Sequence, residues 1–202
     1  MTPPVAQLRP SSRQGFTTAD LHALPEDGLR YELIDGSLVV SPSATGGHNA
    51  IARWLANLIE DRNPGDDFMV STDQSATVDD HNELRPDVVV YRSVHVNRSP
   101  FPITDVLLVV EVVSPSSALR DTETKRVLYA RAGVPAYWIV VADDDKETIA
   151  LAELRLADDR TYGYVTHYTT DVFESDFPWP VTIDLPALAA KLAPIQRQAR
   201  RA

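Results

Sequence analysis

The amino-acid sequence predicts an α/β fold in which a mixed β-sheet is flanked by helices. The first observation is a strand–helix–strand pattern formed by the apolar run Val106–Val113, a helical segment at about 122–132 and the apolar run 134–141. Such a βαβ unit makes its two strands parallel. The second observation is a pair of hairpin signals, Asp35-Gly36 and Asp158-Asp159-Arg160, which add antiparallel strands.

The remaining elements follow from local patterns. A capped helix at 17–21 ends before Pro25, and Gly46-Gly47 are expected to break the chain before a helix at 48–62. That helix carries one apolar stripe, made of Ile51, Trp54, Leu55, Leu58 and Ile59. We expect Asp121 to cap the helix at 122–132 and Gly133 to end it. The other predictions are strands at 68–71, 75–78, 88–91, 148–156 and 162–169, loops at 79–84 and 93–102, and a short helix at 184–192.

Length and composition favour one globular domain. The chain has 202 residues with 44% hydrophobic content and no cysteine, so neither a disulfide framework nor a thiolate metal site is expected. We predict a flexible arm at 1–16, a domain at 17–193 and a basic tail at 194–202. No apolar run approaches the roughly 18 residues that span a bilayer, and the polar N-terminus lacks a signal-peptide core. These features together predict a cytoplasmic protein.

The charge balance restricts the class of partner. The formal net charge is -10 at pH 7, whereas proteins that coat nucleic acid through a broad basic face usually have the opposite sign. The sequence therefore argues against a non-specific DNA-coating protein. An enzyme whose local acidic cluster holds Mg²⁺ and reaches phosphate through that metal stays compatible with it.

Two carboxylates in apolar strands are candidate metal ligands. Glu111 interrupts the run Val106–Val113, where an ionised carboxylate is costly unless it is paired or binds a metal. Asp87 lies at the mouth of the strand at 88–91. If the two strands are neighbours, the carboxylates meet within a few ångströms, and such oxygen ligands suit Mg²⁺.

A lysine on the following helix points to the same place. Lys125, Leu128, Tyr129 and Ala132 are spaced i, i+3, i+4 and i+7, so they share one stripe facing the sheet. A lysine on that stripe needs a carboxylate or a phosphate as its partner. Asp87, Glu111 and Lys125 are therefore predicted to converge.

These motifs resemble a known group of nucleases. Pro86-Asp87 followed by Glu111-Val112-Val113 resembles the PD-(D/E)XK superfamily, and the blocks YELIDG, RPDVVV, VVEVVSPSS and DTETKRVLYARAGVPAYWIV resemble the Uma-type family of bacterial endonucleases over about residues 17–192. The resemblance implies a restriction-endonuclease-like core and hydrolysis of DNA phosphodiester bonds with Mg²⁺ or Mn²⁺. It also implies a homodimer by analogy.

The resemblance assigns roles residue by residue. It implies that Asp87 and Glu111 are metal ligands and that Glu32 completes the catalytic site. The superfamily's lysine would stand at Val113, so Lys125 is expected to take that role from the helix. His48 is expected to contact DNA, because it begins a helix whose free N–H groups favour an anion.

Each candidate also has a structural interpretation. Glu111 could be a buried acid paired with Lys125 or Arg120, Asp87 a turn residue, Lys125 a surface residue and Glu32 a cross-strand partner. Ser114 and Ser116 are expected to be turn residues. The large aromatic side chains Tyr129, Tyr137 and Trp138 are expected in the core, and the five histidines show no metal-ligand spacing.

The sequence thus predicts a Mg²⁺- or Mn²⁺-dependent DNA endonuclease. The alternative is a catalytically inactive nuclease-fold domain whose acidic surface binds another protein. A nuclease acting on RNA or on repair intermediates would share the chemistry and differ only in substrate.

Overall fold

The computed structural model describes residues 10–25, 28–41, 44–113 and 123–201, and it contains four helices and thirteen strands within them. The helices are α1 (Thr18–His22), α2 (Gly46–Glu60), α3 (Lys125–Ala132) and α4 (Leu185–Ala199). The strands are β1 (Arg30–Ile34), β2 (Ser37–Ser41), β3 (Phe68–Thr72), β4 (Ala76–Asp79), β5 (Asn82–Leu84), β6 (Val88–Arg92), β7 (Phe101–Pro102), β8 (Val106–Val113), β9 (Ala136–Asp143), β10 (Thr148–Leu156), β11 (Tyr162–Thr169), β12 (Val172–Ser175) and β13 (Val181–Asp184).

A six-stranded mixed sheet forms the centre of the molecule. Its strand order is β11-β10-β9-β8-β6-β3, with β8 and β9 parallel and every other neighbouring pair antiparallel. The parallel pair is the predicted βαβ unit, and β10–β11 is the predicted hairpin. The α/β fold class with a mixed sheet is therefore confirmed.

A second sheet of order β2-β1-β5-β4-β7 packs beside the first. Asp35 and Gly36 link β1 to β2 with φ angles of 46° and 70°, as the predicted hairpin turn requires. The segment 79–84, predicted as a loop, contains β5, which pairs with both β1 and β4. The prediction was wrong there because the polar residues Asn82 and Glu83 are buried by tertiary pairing that local patterns do not reveal. The ribbon of β12 and β13 was missed as well.

Two helix boundaries differ from the predicted ones. Helix α2 begins at Gly46, because the Thr45 side chain caps it by accepting a hydrogen bond from the His48 N–H. Gly46 and Gly47 therefore lie inside its first turn. Helix α4 continues to Ala199 with Pro194 inside it, beyond the predicted end at 192. Gly133 ends α3 with φ 86° as expected, while the predicted cap Asp121 lies outside the described residues.

The two faces of the six-stranded sheet bury different cores. On one face, α2 and α4 pack on alternate β8 residues, which are Leu108, Val110 and Val112. On the other face, α3 with its Tyr129 and the second sheet pack on Val109, Tyr137 and Ile139. The three aromatic residues expected in the core are fully buried. In the described part of the chain, no helix is both long enough and apolar enough to cross a membrane.

Candidate active site

Glu111 lies at the centre of the candidate site. Strand alternation points its side chain to the α3 side of the sheet, where the residue is only 2% exposed. Its Oε1 accepts hydrogen bonds from Lys125 Nζ at 3.0 Å and from the Tyr129 hydroxyl at 2.8 Å. The buried carboxylate is thus held by a cation and by a neutral donor.

Lys125 bridges two carboxylates. It is the first residue of α3, and its Nζ lies 3.0 Å from Glu111 Oε1 and 2.9 Å from Glu32 Oε1. All three side chains are at most 4% exposed. Moving a charged side chain from water into the protein interior costs on the order of several kcal/mol, unless close partners of opposite charge compensate for the lost hydration. The Glu32–Lys125–Glu111 bridge is therefore a mutually dependent unit.

Glu32 connects the two sheets at this point. Its position in β1 belongs to the second sheet, and its Oε1 also accepts the backbone N–H of Arg85 at 2.8 Å. Arg85 begins the Arg85-Pro86-Asp87 segment that leads into β6. Glu32 consequently fixes both the lysine and the start of the strand that presents Asp87.

Asp87 forms the solvent-reachable part of the site. Val88 is opposite Val110 in the antiparallel pair, so the same register continued by one residue places Asp87 opposite Glu111. Asp87 Oδ2 accepts the Val112 N–H at 2.7 Å, and Oδ1 lies 2.9 Å from His48 Nε2. The Asp87 and His48 side chains are 24% and 18% exposed.

Tyr129 belongs to the site although sequence reasoning placed it only in the core. Burial raises its pKa well above 10.0, and the charges of Glu111 and Glu32 raise it further. The phenol is therefore neutral and able to donate a hydrogen bond to Glu111. Its spacing of four residues from Lys125 on one helical stripe was the available signal.

The five predicted site residues form two contact groups, Glu32–Lys125–Glu111 and His48–Asp87, and the hydrogen bond from the Val112 N–H to Asp87 places the second group next to Glu111 on β8. The Glu111–Lys125 pair of the structural interpretation is present, and it is compatible with a catalytic role. His48 lies in the first turn of α2, where its own N–H donates to the Thr45 side chain and its imidazole contacts Asp87, and its contact with DNA stays a prediction. Arg120, Ser114 and Ser116 lie outside the described residues. Val113, at the superfamily's lysine position, packs against the apolar core.

The donor atoms suit a hard divalent cation. Mg²⁺ prefers oxygen ligands, keeps several waters and uses one or two carboxylates, which Asp87 and Glu111 would supply from opposite positions on neighbouring strands. Within the ranges that the structure describes, no group of three or more His, Cys, Asp or Glu side chains forms a ready-made metal site. A cation held here would therefore depend on water and substrate oxygens for its other ligands.

Comparison with known proteins first establishes the fold. The structure matches the crystal structure of "a putative nuclease belonging to DUF820" from Anabaena variabilis, with a TM-score of 0.66 and 18% identity. The match covers 88% of this chain and 99% of that chain, and it confirms the fold. The chain belongs to the Uma2 family, described as "Putative restriction endonuclease", whose model matches residues 18–177. Among curated proteins, none matches significantly.

Proposed function

We propose that this protein is a metal-dependent endonuclease that hydrolyses DNA phosphodiester bonds with Mg²⁺ or Mn²⁺. The observation that carries the proposal is the buried Glu32–Lys125–Glu111 bridge beside the partly exposed carboxylate of Asp87. Burying three charges is costly, and an active site is where such a cost is commonly retained. Membership of the Uma2 family supports the same reaction class.

Asp87 and Glu111 would hold the cation. When bound, Mg²⁺ would act as a Lewis acid on a phosphoryl oxygen and lower the pKa of a water. Val112 N–H and His48 fix the two oxygens of Asp87, so the carboxylate is oriented before any ligand arrives. Outer partners of this kind tune metal affinity.

Lys125 would stabilise charge in the transition state. In-line attack of water on phosphorus breaks the bond to the 3′ oxygen and leaves a 5′-phosphate and a 3′-hydroxyl. A preorganised ammonium stabilises the negative charge that develops during this attack. Glu32 and Glu111 hold Nζ from two sides, so Lys125 needs little reorganisation.

Two arginines near the site favour a phosphate-bearing substrate. Arg30 and Arg85 both bind the carboxylate of Asp73 at 2.7 Å, and their side chains are 46% and 34% exposed. Two guanidinium groups on one carboxylate leave a net positive charge next to Glu32. This local charge offsets the overall charge of -10 where a polyanion would approach. Cutting of both strands by a homodimer is a further part of the proposal.

Plasmid nicking in Mg²⁺ tests the proposal. We expect the wild type to nick supercoiled DNA, and Asp87→Asn and Glu111→Gln each to fall to about one hundredth of that rate or below. The matched control Glu174→Gln removes an exposed acid on β12 and should leave the rate unchanged. Equal rates in all four proteins, or undiminished nicking in EDTA, would contradict the proposal.

One observation favours the alternative of an inactive nuclease-fold domain. Both Asp87 oxygens have protein partners, His48 and the Val112 N–H, so Asp87 has a structural role that requires no cation. Thermal melting separates the two functions, because a ligand that binds only the folded state raises the melting temperature. Millimolar Mg²⁺ or Mn²⁺ should raise it for the wild type and leave it unchanged for Asp87→Asn. The absence of any metal effect would favour a protein-interaction module.

A further inference from the structure

A second surface combines exposed aromatic rings with arginines. We define the α3–β11 face by Tyr164, His167 and Tyr168 on β11 and by Arg126 and Arg131 on α3. Tyr164 and Tyr168 are 40% and 46% exposed, so the face presents two large aromatic rings to solvent. The Tyr164 and His167 rings stack with centroids 4.8 Å apart and an 18° tilt, and the Arg126 guanidinium lies 5.5 Å from the Tyr164 centroid.

The arginines of this face do not form ion pairs within the described part of the chain. Arg126 donates to the Tyr162 carbonyl at 2.7 Å, while neighbouring Arg160 donates to the Arg131 carbonyl at 2.7 Å. Six other arginines bind carboxylates, which are Arg30, Arg85, Arg92, Arg155, Arg197 and Arg200. Arg126 and Arg131 therefore place two positive charges without carboxylate partners among the described residues beside the exposed rings, and this combination is complementary to a polyanion.

The face is built from the same helix and the same sheet as the candidate active site. Arg126 directly follows Lys125 on α3. Tyr164 pairs with Leu154, Leu154 with Tyr137, and Tyr137 with Val109, two residues before Glu111. Three strand spacings of about 4.8 Å place Tyr164 roughly 14 Å from β8. A few nucleotides of a bound strand are long enough to span that distance.

The edge strand itself is poorly suited to pairing with a second copy of the chain. β11 shows two register shifts against β10, between the partners of Leu151 and Glu153 and between those of Glu153 and Leu154. Such bulges bend an edge strand and interrupt its hydrogen-bonding row, a common device against edge-to-edge association. The exposed rings on β11 are better explained by a ligand with flat apolar faces.

We propose that the α3–β11 face binds unpaired nucleotides of the substrate, with bases stacking on Tyr164 and His167 and phosphates meeting Arg126 and Arg131. Stacking on aromatic rings beside cations is tolerant of sequence, because every base has a π-face. The inference rests on the proposed nuclease function and deepens it. It names the substrate class as DNA with a single-stranded segment beside the scissile bond.

Fluorescence anisotropy in EDTA tests the inference without cleavage. The probes are a labelled single strand, a blunt duplex and a duplex with a single-stranded tail. We expect the wild type to bind both probes with unpaired nucleotides more tightly than the blunt duplex. Tyr164→Ala should weaken that binding by about five- to hundred-fold, while Tyr164→Phe should keep it.

The charge contribution has its own matched pair of variants. Arg131→Gln should reduce the slope of log affinity against log salt by roughly 0.7 for the single strand. Arg53→Gln removes the same charge from an exposed position on α2 and should leave the slope unchanged. Equal slopes for the two variants would count against the proposed path of the strand.

Three results would overturn the inference: tighter binding of the blunt duplex, unchanged binding by Tyr164→Ala, or a dimer in light scattering that Tyr164→Ala converts to a monomer. The nicking assay keeps this failure separate from failure of the proposed function. If the wild type is inactive but its binding to the single strand requires Tyr164, the proposed nuclease function is contradicted and the proposed binding face is supported. If the wild type nicks DNA but its binding to the single strand does not depend on Tyr164, the nuclease function is supported and the proposed binding face is contradicted.

Discussion

The two faces of β8 differ in what they bury. Leu108, Val110 and Val112 point into an apolar core under α2 and α4, whereas Glu111 points into a network that contains Glu32 and Lys125. Apolar burial contributes about 25 cal/mol per Å² without requiring a specific partner. Burial of charge requires every partner to be present. Both faces bury apolar side chains, but only the α3 face also buries charges, and those charges carry a cost in stability.

The largest expected effect is on the charged face. Lys125→Met would leave Glu32 and Glu111 buried without their shared cation, and we expect the free energy of unfolding to fall by about 3–5 kcal/mol. Urea unfolding followed by circular dichroism measures this loss. A loss below about 1 kcal/mol would show that the charges are not mutually dependent.

A compensated variant sharpens the comparison. Adding Glu32→Gln and Glu111→Gln to Lys125→Met removes all three charges, so most of the lost stability should return while nicking stays absent. On the apolar face, Leu55→Ala should cost about 2–5 kcal/mol through its cavity, yet the folded fraction should still nick DNA. Recovery of activity in the triple variant would contradict the division between the two faces.

Tyr129→Phe should have an intermediate effect. Loss of the hydroxyl removes a hydrogen bond to the Glu111 carboxylate, and we expect a cost of about 1.5–3 kcal/mol at pH 7. The raised pKa of Tyr129 means that the folded state keeps its phenol proton above pH 10 while the unfolded state loses it. Stability should therefore fall as pH rises above 10, and less steeply in Tyr129→Phe. Identical alkaline profiles would argue against a neutral buried phenol.

The smallest effect on stability is expected at the mouth of the site. His48 and Asp87 are partly exposed, so His48→Gln should change the free energy of unfolding by less than about 1 kcal/mol. Because His48 orients Asp87, the same variant should weaken Mn²⁺ binding by about ten- to hundred-fold, measured by titration calorimetry. An unchanged Mn²⁺ affinity would show that His48 does not support metal binding by Asp87.

The sequence predicted most of the central sheet because its strands satisfy local rules. The continuous apolar run of β8, the Gly133 stop and the two hairpin turns each specify an element from neighbouring residues alone. β5 was missed because Asn82 and Glu83 are strand residues only through their partners in β1 and β4. The start of α2 was misplaced because the cap of Thr45 outweighs the low helix propensity of two glycines.

The site was predictable to the level of residues but not of contacts. Carboxylates in apolar strands and a lysine on the sheet-facing stripe suggested that Asp87, Glu111 and Lys125 converge. No local pattern indicated that Glu32 would reach Lys125 from another sheet, or that His48 would contact Asp87. Those contacts depend on how α2 and β1 dock, which involves residues far apart in the chain.

The most direct test of the central claim is a crystal structure of the protein soaked in Mn²⁺, with anomalous difference maps. We expect one anomalous peak between the Asp87 and Glu111 carboxylates, at distances of roughly 2.0–2.3 Å from their oxygens. The peak should vanish in Asp87→Asn. A well-ordered site with Lys125 and His48 still in place and no peak at millimolar Mn²⁺ would contradict the account.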